Sequence, residues 1–163
     1  MQASEKDKEI VSILNNKIYD TTHHAIEDRY GCGNTIIEYN EFYHISYLTA
    51  DSGVIHIGRN WVNRKYTVRY NYFHDIYGEL FESNPAVVYF DDMSSGDECY
   101  SNLIVNAGGN AIQLCGGRYY NVYNNVIVNC DGKGITMDGR GFGWNRGHLQ
   151  YDKPNSAGTV GTI

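Results

Sequence analysis

Apolar residues in this chain come in short pulses of two to four, separated by asparagine and glycine. The stretch NNVIVNCDGKGITMDGRG, residues 124–141, shows the habit. Pulses such as Ile-His-Ile and Ile-Thr-Met have the two-residue period of a strand, and no unit holds an uninterrupted 3.6-period pattern long enough for a helix. Asn and Gly between the pulses supply corners, because both tolerate left-handed backbone.

Aligned with itself, the chain repeats. Five segments share the form Asn-x-[Ile/Phe]-x-[Asp/His/Asn]: NKIYD from Asn16, NEFYH from Asn40, NYFHD from Asn71, NLIVN from Asn102 and NVIVN from Asn125. The anchors are 24, 31, 31 and 23 residues apart, and each is followed by a second pulse, at Ile26, Ile55, Val88, Ile112 and Ile135. A basic unit of 23–24 residues with short strands and Asn/Gly corners predicts an all-β parallel solenoid of about five turns, in which each turn gives one strand to each of several sheets. Equivalent residues then stack ~4.8 Å apart, and the asparagines ladder their amides from turn to turn. A leucine-rich or helical repeat has a similar period, but leucine is scarce and helical stretches are lacking. Handedness does not follow from the residues.

The repeat spans 11–141, with 1–10 as a lead-in and 142–163 as a C-terminal cap or a truncated continuation. It is already running at Ile13, and the tail drops it, so a fragment of a longer protein is expected. Extra residues enter turns two and three, in HISYLTADSG (44–53) and DIYGELFESNP (75–85), and turn two leaves by a longer exit, IGRNWVNRKY (57–66). Loops inserted at one place on consecutive turns build a wall beside a groove.

Side chains alternate along a strand, so the second pulse can be read for facing. Ile55 and Ile57, Val88 and Phe90, Ile112 and Leu114, and Ile135 and Met137 take the inward slots. One outward column is His56, Tyr89, Gln113 and Thr136. The next is Gly58, Asp91, Cys115 and Asp138, and beyond it come Arg59 and Asp92. This gives a polar outer face from core periodicity alone.

Charge and composition narrow the partners. The net charge of −6 argues against nucleic acid or an anionic membrane surface. No stretch approaches the ~20 apolar residues of a membrane span, and the charged start MQASEKDKEI is not an export signal. Four cysteines (Cys32, Cys99, Cys115, Cys130) have no C-x-x-C spacing, which favours small buried thiols over a metal site or disulfides. Fifteen tyrosines offer flat apolar bodies with polar tips, suited to wet grooves and equally to strands.

The candidate chemistry is acidic. Asp91 and Asp92 close an apolar strand, Arg59 lies one turn away to hold a carboxylate ionised, and Asp51 sits in the inserted loop TADSG. Two carboxylates facing one another across a groove are what glycosidic bond cleavage needs. A solvated Asp pair or a corner cap is the plainer account. His56 would assist or bind a sugar hydroxyl, and Asp138, two turns from Asp91 at roughly 9–10 Å, would bind substrate. Trp61 and Trp144 are candidates for stacking on a sugar ring; packing a loop or the solenoid end is the alternative.

The run ADSGVIHIGRNW, VRYNYFHDI, AVVYFDDMSSG, YSNLIVNAGGNAIQLCGG and ITMDGRGFGW resembles bacterial right-handed parallel β-helix proteins of carbohydrate-active type, glycoside hydrolase family 141 most closely, over about residues 11–148. The resemblance implies a single-stranded right-handed β-helix, a glycosidase with catalytic aspartates at Asp51 and at Asp92 or its neighbour Asp91, a polysaccharide or oligosaccharide substrate, no cofactor, and an extracellular or periplasmic location. Arg59, Trp61, Tyr89, His56 and Gln113 would line the sugar site. Enzymes of this type are much longer. Two other readings share the scaffold: a polysaccharide lyase, with Ca²⁺ held by Asp51, Asp91 and Asp92 and Arg59 as base, and a non-catalytic carbohydrate-binding β-helix.

Overall fold

The computed structural model describes residues 10–29, 33–49, 51–58, 64–79 and 84–139. The repeat coils as its periodicity requires. Each turn contributes three strands: β1 (Val11–Leu14), β2 (Lys17–Thr21) and β3 (Ile26–Asp28) in the first, then β4 (Thr35–Glu38), β5 (Glu41–Ile45) and β6 (Gly53–Ile57). The third holds β7 (Tyr66–Arg69), β8 (Tyr72–Ile76) and β9 (Ala86–Phe90), and the fourth β10 (Glu98–Tyr100), β11 (Leu103–Ala107) and β12 (Ile112–Cys115). The fifth holds β13 (Asn121–Tyr123), β14 (Val126–Cys130) and β15 (Ile135–Asp138). First strands stack into sheet A, second strands into sheet B and third strands into sheet C, five strands each. Every pairing is parallel.

The Asn-x-[Ile/Phe]-x-[Asp/His/Asn] motif is sheet B with its entry corner, and each position has a physical task. The anchoring Asn turns the corner between sheets A and B. The residue before it is left-handed in every turn: Asn15, Tyr39, Tyr70, Ser101 and Asn124 all have φ between 54° and 56°. The third position is core, with Phe42, Phe73 and Ile104 fully buried and the Phe42 and Phe73 rings stacked at 4.9 Å. The fifth position is a kink within the strand. Asp20, His44, Asp75, Asn106 and Asn129 are also left-handed, with φ between 50° and 57°. The ladder skips them: Tyr19 pairs with Tyr43 and Thr21 with Ile45, leaving Asp20 and His44 between. Asp, Asn and His are the non-glycine residues that most readily take this conformation, which explains the restricted alphabet at that position.

Sheet A is the element that pulses alone do not reveal. Its strands are three or four residues long and include Glu98–Tyr100 and Asn121–Tyr123, where one apolar side chain per strand, Cys99 or Val122, packs on the core. Sheet C faces as alternation requires in β6, β9 and β12, whereas Ile135 and Met137 of β15, expected inward, are 54% and 72% exposed. Ile55 pairs with Val88 and Val88 with Ile112, and these join Ile57, Phe90 and Leu114 in the interior. Cys99 and Cys115 are buried, and burial pushes the Cys99 thiol up to about 12.

The extra residues of turns two and three sit at the corner between sheets B and C, where β5 leads to β6 and β8 to β9. They stack on each other, the Glu79 N–H donating to the Tyr47 carbonyl at 2.8 Å. In the same turns both faces of sheet C are buried: every residue of β6 and of β9 is enclosed, whereas Gln113 and Thr136 in β12 and β15 keep partial exposure.

Candidate functional site

Polar groups concentrate on the outer face of sheet C in turns one to three. Glu27, in the middle of β3, is the register partner of His56 in β6, and His56 is the partner of Tyr89 in β9. All three therefore leave one face, a rung apart. His24, just before β3, folds over this column, its ring stacked on that of His56 at 4.4 Å. Tyr89 meets His56 edge-on at 4.9 Å.

Asp91 completes the cluster from the exit of β9. Its N–H donates to the Ile57 carbonyl at 2.6 Å, which continues the β6–β9 ladder to the corner. The neighbouring position in β6's turn is Gly58, where an added Cβ would fall 2.5 Å from the Asp91 carbonyl oxygen, so the close approach depends on the missing side chain. The carboxylate then reaches back to His56, Oδ2 to Nε2, at 3.3 Å. Burial raises the Asp91 carboxyl, but hydrogen bonds from His56, the Asp92 N–H and the Tyr89 hydroxyl outweigh it and hold the group below the usual carboxylate range. Asp91 is an ionised carboxylate in a site only 2% exposed.

On the opposite side of His56, Nδ1 lies 3.6 Å from Glu27 Oε1. The His24 Nε2 is also 3.6 Å from that oxygen, and Arg29 pairs with it from the solvent side. Burial pushes the His24 imidazole down to about 4, so this ring is neutral. His24, Glu27 and His56 are the group of side chains, among the described residues, placed to hold a metal ion.

A second polar surface lies on another side of the coil, at the corner between sheets A and B. Here tyrosines flank the asparagine ladder. Tyr39 stacks on Tyr70 at 5.2 Å, and Tyr100 on Tyr123 at 4.6 Å. Beside them Tyr19 stacks on Tyr43, and Tyr43 on His74, both at 4.9 Å. A shallow cleft of about 490 Å³ opens among Tyr39, Tyr70, Tyr72, Asn15, Lys17 and Glu41. Tyr39, Tyr70 and Tyr72 are 56%, 43% and 39% exposed there. Lys17 and Glu41 pair at 3.1 Å across its floor.

The family model of the right-handed β-helix region matches residues 3–158, nearly the whole chain. The chain belongs to the right-handed β-helix family. No curated protein and no solved structure matches it.

Within this β-helix the expected site residues are only partly assembled. His56 and Tyr89 share a column as expected, and Gln113 and Thr136 continue it. The open groove expected there is, at the middle rungs, a covered face, with His56 and Tyr89 3% and 4% exposed. Asp91 and Asp92 are both buried, and the chain turns at Asp92 (φ 26°) and Met93 (φ 75°). Asp51 is exposed at the entrance to β6, whereas Asp91 and Asp92 stand at the exit of β9. Parallel in-register pairing puts Gly53 beside Ala86 and Ile57 beside Phe90, so entrance meets entrance and the length of the strand pair separates these carboxylates. The facing pair expected of Asp51 and Asp91 or Asp92, as acid and base or as shared calcium ligands, is not what this topology offers. Asp138 is half-buried in β15 beside Cys115, two rungs from Asp91 along the same column. Arg59, Trp61, Trp144 and Cys32 lie outside the described residues.

Three polar residues, two in the sheet C cluster and one beneath the corner after β9, escape a reading based on pulses. Glu27 had a signal: carrying the His56 column back one turn lands on it. His24 and Asp97 lie in corners, where no register places them. Asp97 is fully buried, accepts the Tyr66 N–H at 3.1 Å and the Ser94 hydroxyl at 2.5 Å, and is pushed up to about 7 by burial. Its bonds tie the corner after β9 to the start of β7.

Proposed function

We propose that this β-helix acts on polysaccharide and binds it along the tyrosine-lined corner between sheets A and B. The observation that carries this reading is the row of exposed tyrosines around the cleft. Large aromatic faces left in water rarely persist without a partner, and their rings match the apolar faces of sugar rings while Lys17, Glu41 and Asn15 offer partners for hydroxyls. The ladder repeats along the coil axis, which suits an extended chain over a single compact ligand. The net charge of −6 favours neutral or weakly charged glycans over strongly anionic ones.

A second reading, hydrolysis of a glycan engaged at the outer face of sheet C instead of at the tyrosine corner, is favoured by Asp91. An ionised carboxylate held in a mostly dry site suits a base or nucleophile, and Glu27 on the far side of His56 is a second carboxylate across one imidazole.

One experiment separates these readings. Glycan-array and calorimetric binding are measured for the chain and for Tyr39→Ala and Tyr70→Ala, alongside reducing-end release and ultraviolet absorbance of unsaturated products. Binding weakened at least tenfold in both variants, with thermal stability near wild type, is the expected result. Unchanged binding in both would remove the tyrosine strip from the reading. Reducing ends released by wild type but not by Asp91→Asn would establish hydrolysis, and unsaturated products would establish a lyase in its place.

A further inference from the structure

The outer-face cluster on sheet C has the geometry of a metal centre, independently of the glycan surface on the other side of the coil. Each of His24, Glu27 and His56 offers one ligand atom within 4.8 Å of the others, and His24 Nε2 and His56 Nδ1 are the nitrogens that face Glu27 Oε1. Ligands at ~2.1 Å in a tetrahedral shell stand roughly 3.4 Å apart. The two nitrogen-to-oxygen edges are already 3.6 Å, and the third edge is no longer than 4.8 Å.

Both imidazoles are held from behind. The His24 Nδ1 lies 3.0 Å from the Gly53 carbonyl, and the His56 Nε2 lies 3.3 Å from the Asp91 carboxylate. The Asp91 carboxylate only accepts, so His56 carries its proton on Nε2 and its Nδ1 keeps a lone pair aimed at the shared space. The His24 Nδ1 also receives the Gly53 N–H at 3.2 Å, so both groups of Gly53 fix that ring's position. A carboxylate or carbonyl behind a ligating histidine is the usual means of fixing tautomer and ring orientation at such sites. The inner nitrogen of His56 is the telling atom. It is buried, on a residue 3% exposed, and has no hydrogen-bond partner. Buried polar atoms are nearly always satisfied, so this one points to a missing ligand.

We propose that His24, Glu27 and His56 bind a divalent transition metal of the zinc class, with one coordination position left open. Two imidazoles and one carboxylate suit zinc and its neighbours and are a poor match for calcium or magnesium, which take oxygen shells. The charged neighbour is Arg29, 42% exposed, which pairs with the same Glu27 oxygen and must yield it to the metal. The Glu27 side chain is 33% exposed and marks the way in.

The test uses the 163-residue chain, stripped with a chelator and titrated calorimetrically with Zn²⁺ alone, with Ca²⁺ and Mg²⁺ as controls. Co²⁺ serves as a visible-absorption reporter of low coordination number. One equivalent of Zn²⁺ is expected, with a rise in thermal midpoint and no response to Ca²⁺ or Mg²⁺. His56→Ala should abolish binding. Because that variant leaves Asp91 buried without its partner, Glu27→Gln at the rim is the decisive one, and it should weaken binding at least tenfold while folding normally. His44 and His74, both on sheet B, are the control, and their double alanine variant should bind as wild type does. No stoichiometric Zn²⁺, wild-type affinity in Glu27→Gln, or loss of binding in the His44/His74 variant would each overturn the site.

Discussion

The side-chain oxygen of Asn102 accepts two hydrogen bonds from Asn71, one from its backbone N–H at 3.0 Å and one from its side-chain amide at 3.1 Å. Asn71 in turn serves Asn40 in the same way, and the relationship runs from Asn16 to Asn125. Each amide also donates to backbone carbonyls, in the case of Asn71 to Ile37 and Arg69 at 2.9 Å. One side chain thereby satisfies the donors of the turn before it and the acceptors of its own corner, all in a place 2% exposed.

Asn71→Ala removes that whole set and strands the Asn40 N–H in a buried corner. A loss of about 2–4 kcal/mol is expected, measured by urea unfolding. Asn71→Asp keeps the acceptor but forfeits the donors and buries a charge, so it should also destabilise rather than rescue.

Phe73 stacks on Phe42 in the middle of the core, and both are fully buried. Phe73→Ala should cost about 3–5 kcal/mol. Phe73→Leu retains most of the volume and should cost roughly half as much or less. Equal losses would mean that packing at this rung does not depend on volume.

Gly58→Ala places a methyl 2.5 Å from the Asp91 carbonyl oxygen, and the contact is with backbone, which cannot rotate away. The exit of β9 must shift. A cost of about 1–3 kcal/mol follows from overpacking. The His56–Asp91 contact should lengthen with it, visible as a changed His56 ring resonance.

Asp97 gives the fold a pH dependence. Its carboxyl titrates near 3.9 when unfolded and is pushed up to about 7 when folded. Between those values the native state holds the extra proton, so this group's contribution falls as pH rises from about 4 to about 7 and is constant above, a loss on the order of 4 kcal/mol at most. Asp97→Asn keeps an acceptor for the Tyr66 N–H and does not titrate. Its stability should exceed wild type's at pH 8 relative to pH 5. Matching pH slopes in the two proteins would show that Asp97 titrates elsewhere.

The coil was legible because its instructions are periodic. Asn16, Asn40, Asn71, Asn102 and Asn125 announce themselves by spacing, and the facing of Ile55, Val88 and Ile112 follows from strand alternation. The structure stacks these residues in the same columns. Sheet A was not legible, since a strand such as Glu98–Tyr100 offers one core side chain and no pulse. The site was legible only where it borrows the strand register. His56, Tyr89 and Gln113 came out in order, and Glu27 was one step back along the same column. His24 and Asp97 act from corners, whose course depends on hydrogen bonds such as His24 to Gly53 that no period encodes. Asp51 misled for the same reason: nearness in the repeat says nothing of which end of a strand a loop joins.

The unequal lengths of the turns carry a further consequence. Two turns of 31 residues and others of 24 and 23 present the same asparagine to the next. The extra residues fall between strands, so the joint between one coil and the following one is interchangeable. Excising residues 102–124 would leave Asn71 facing Asn125 with an identical bond pattern, and duplicating them would do the same. Genes for such chains can therefore grow or shrink by whole coils without a break in phase, which makes the coil, rather than the residue, the natural unit of their variation.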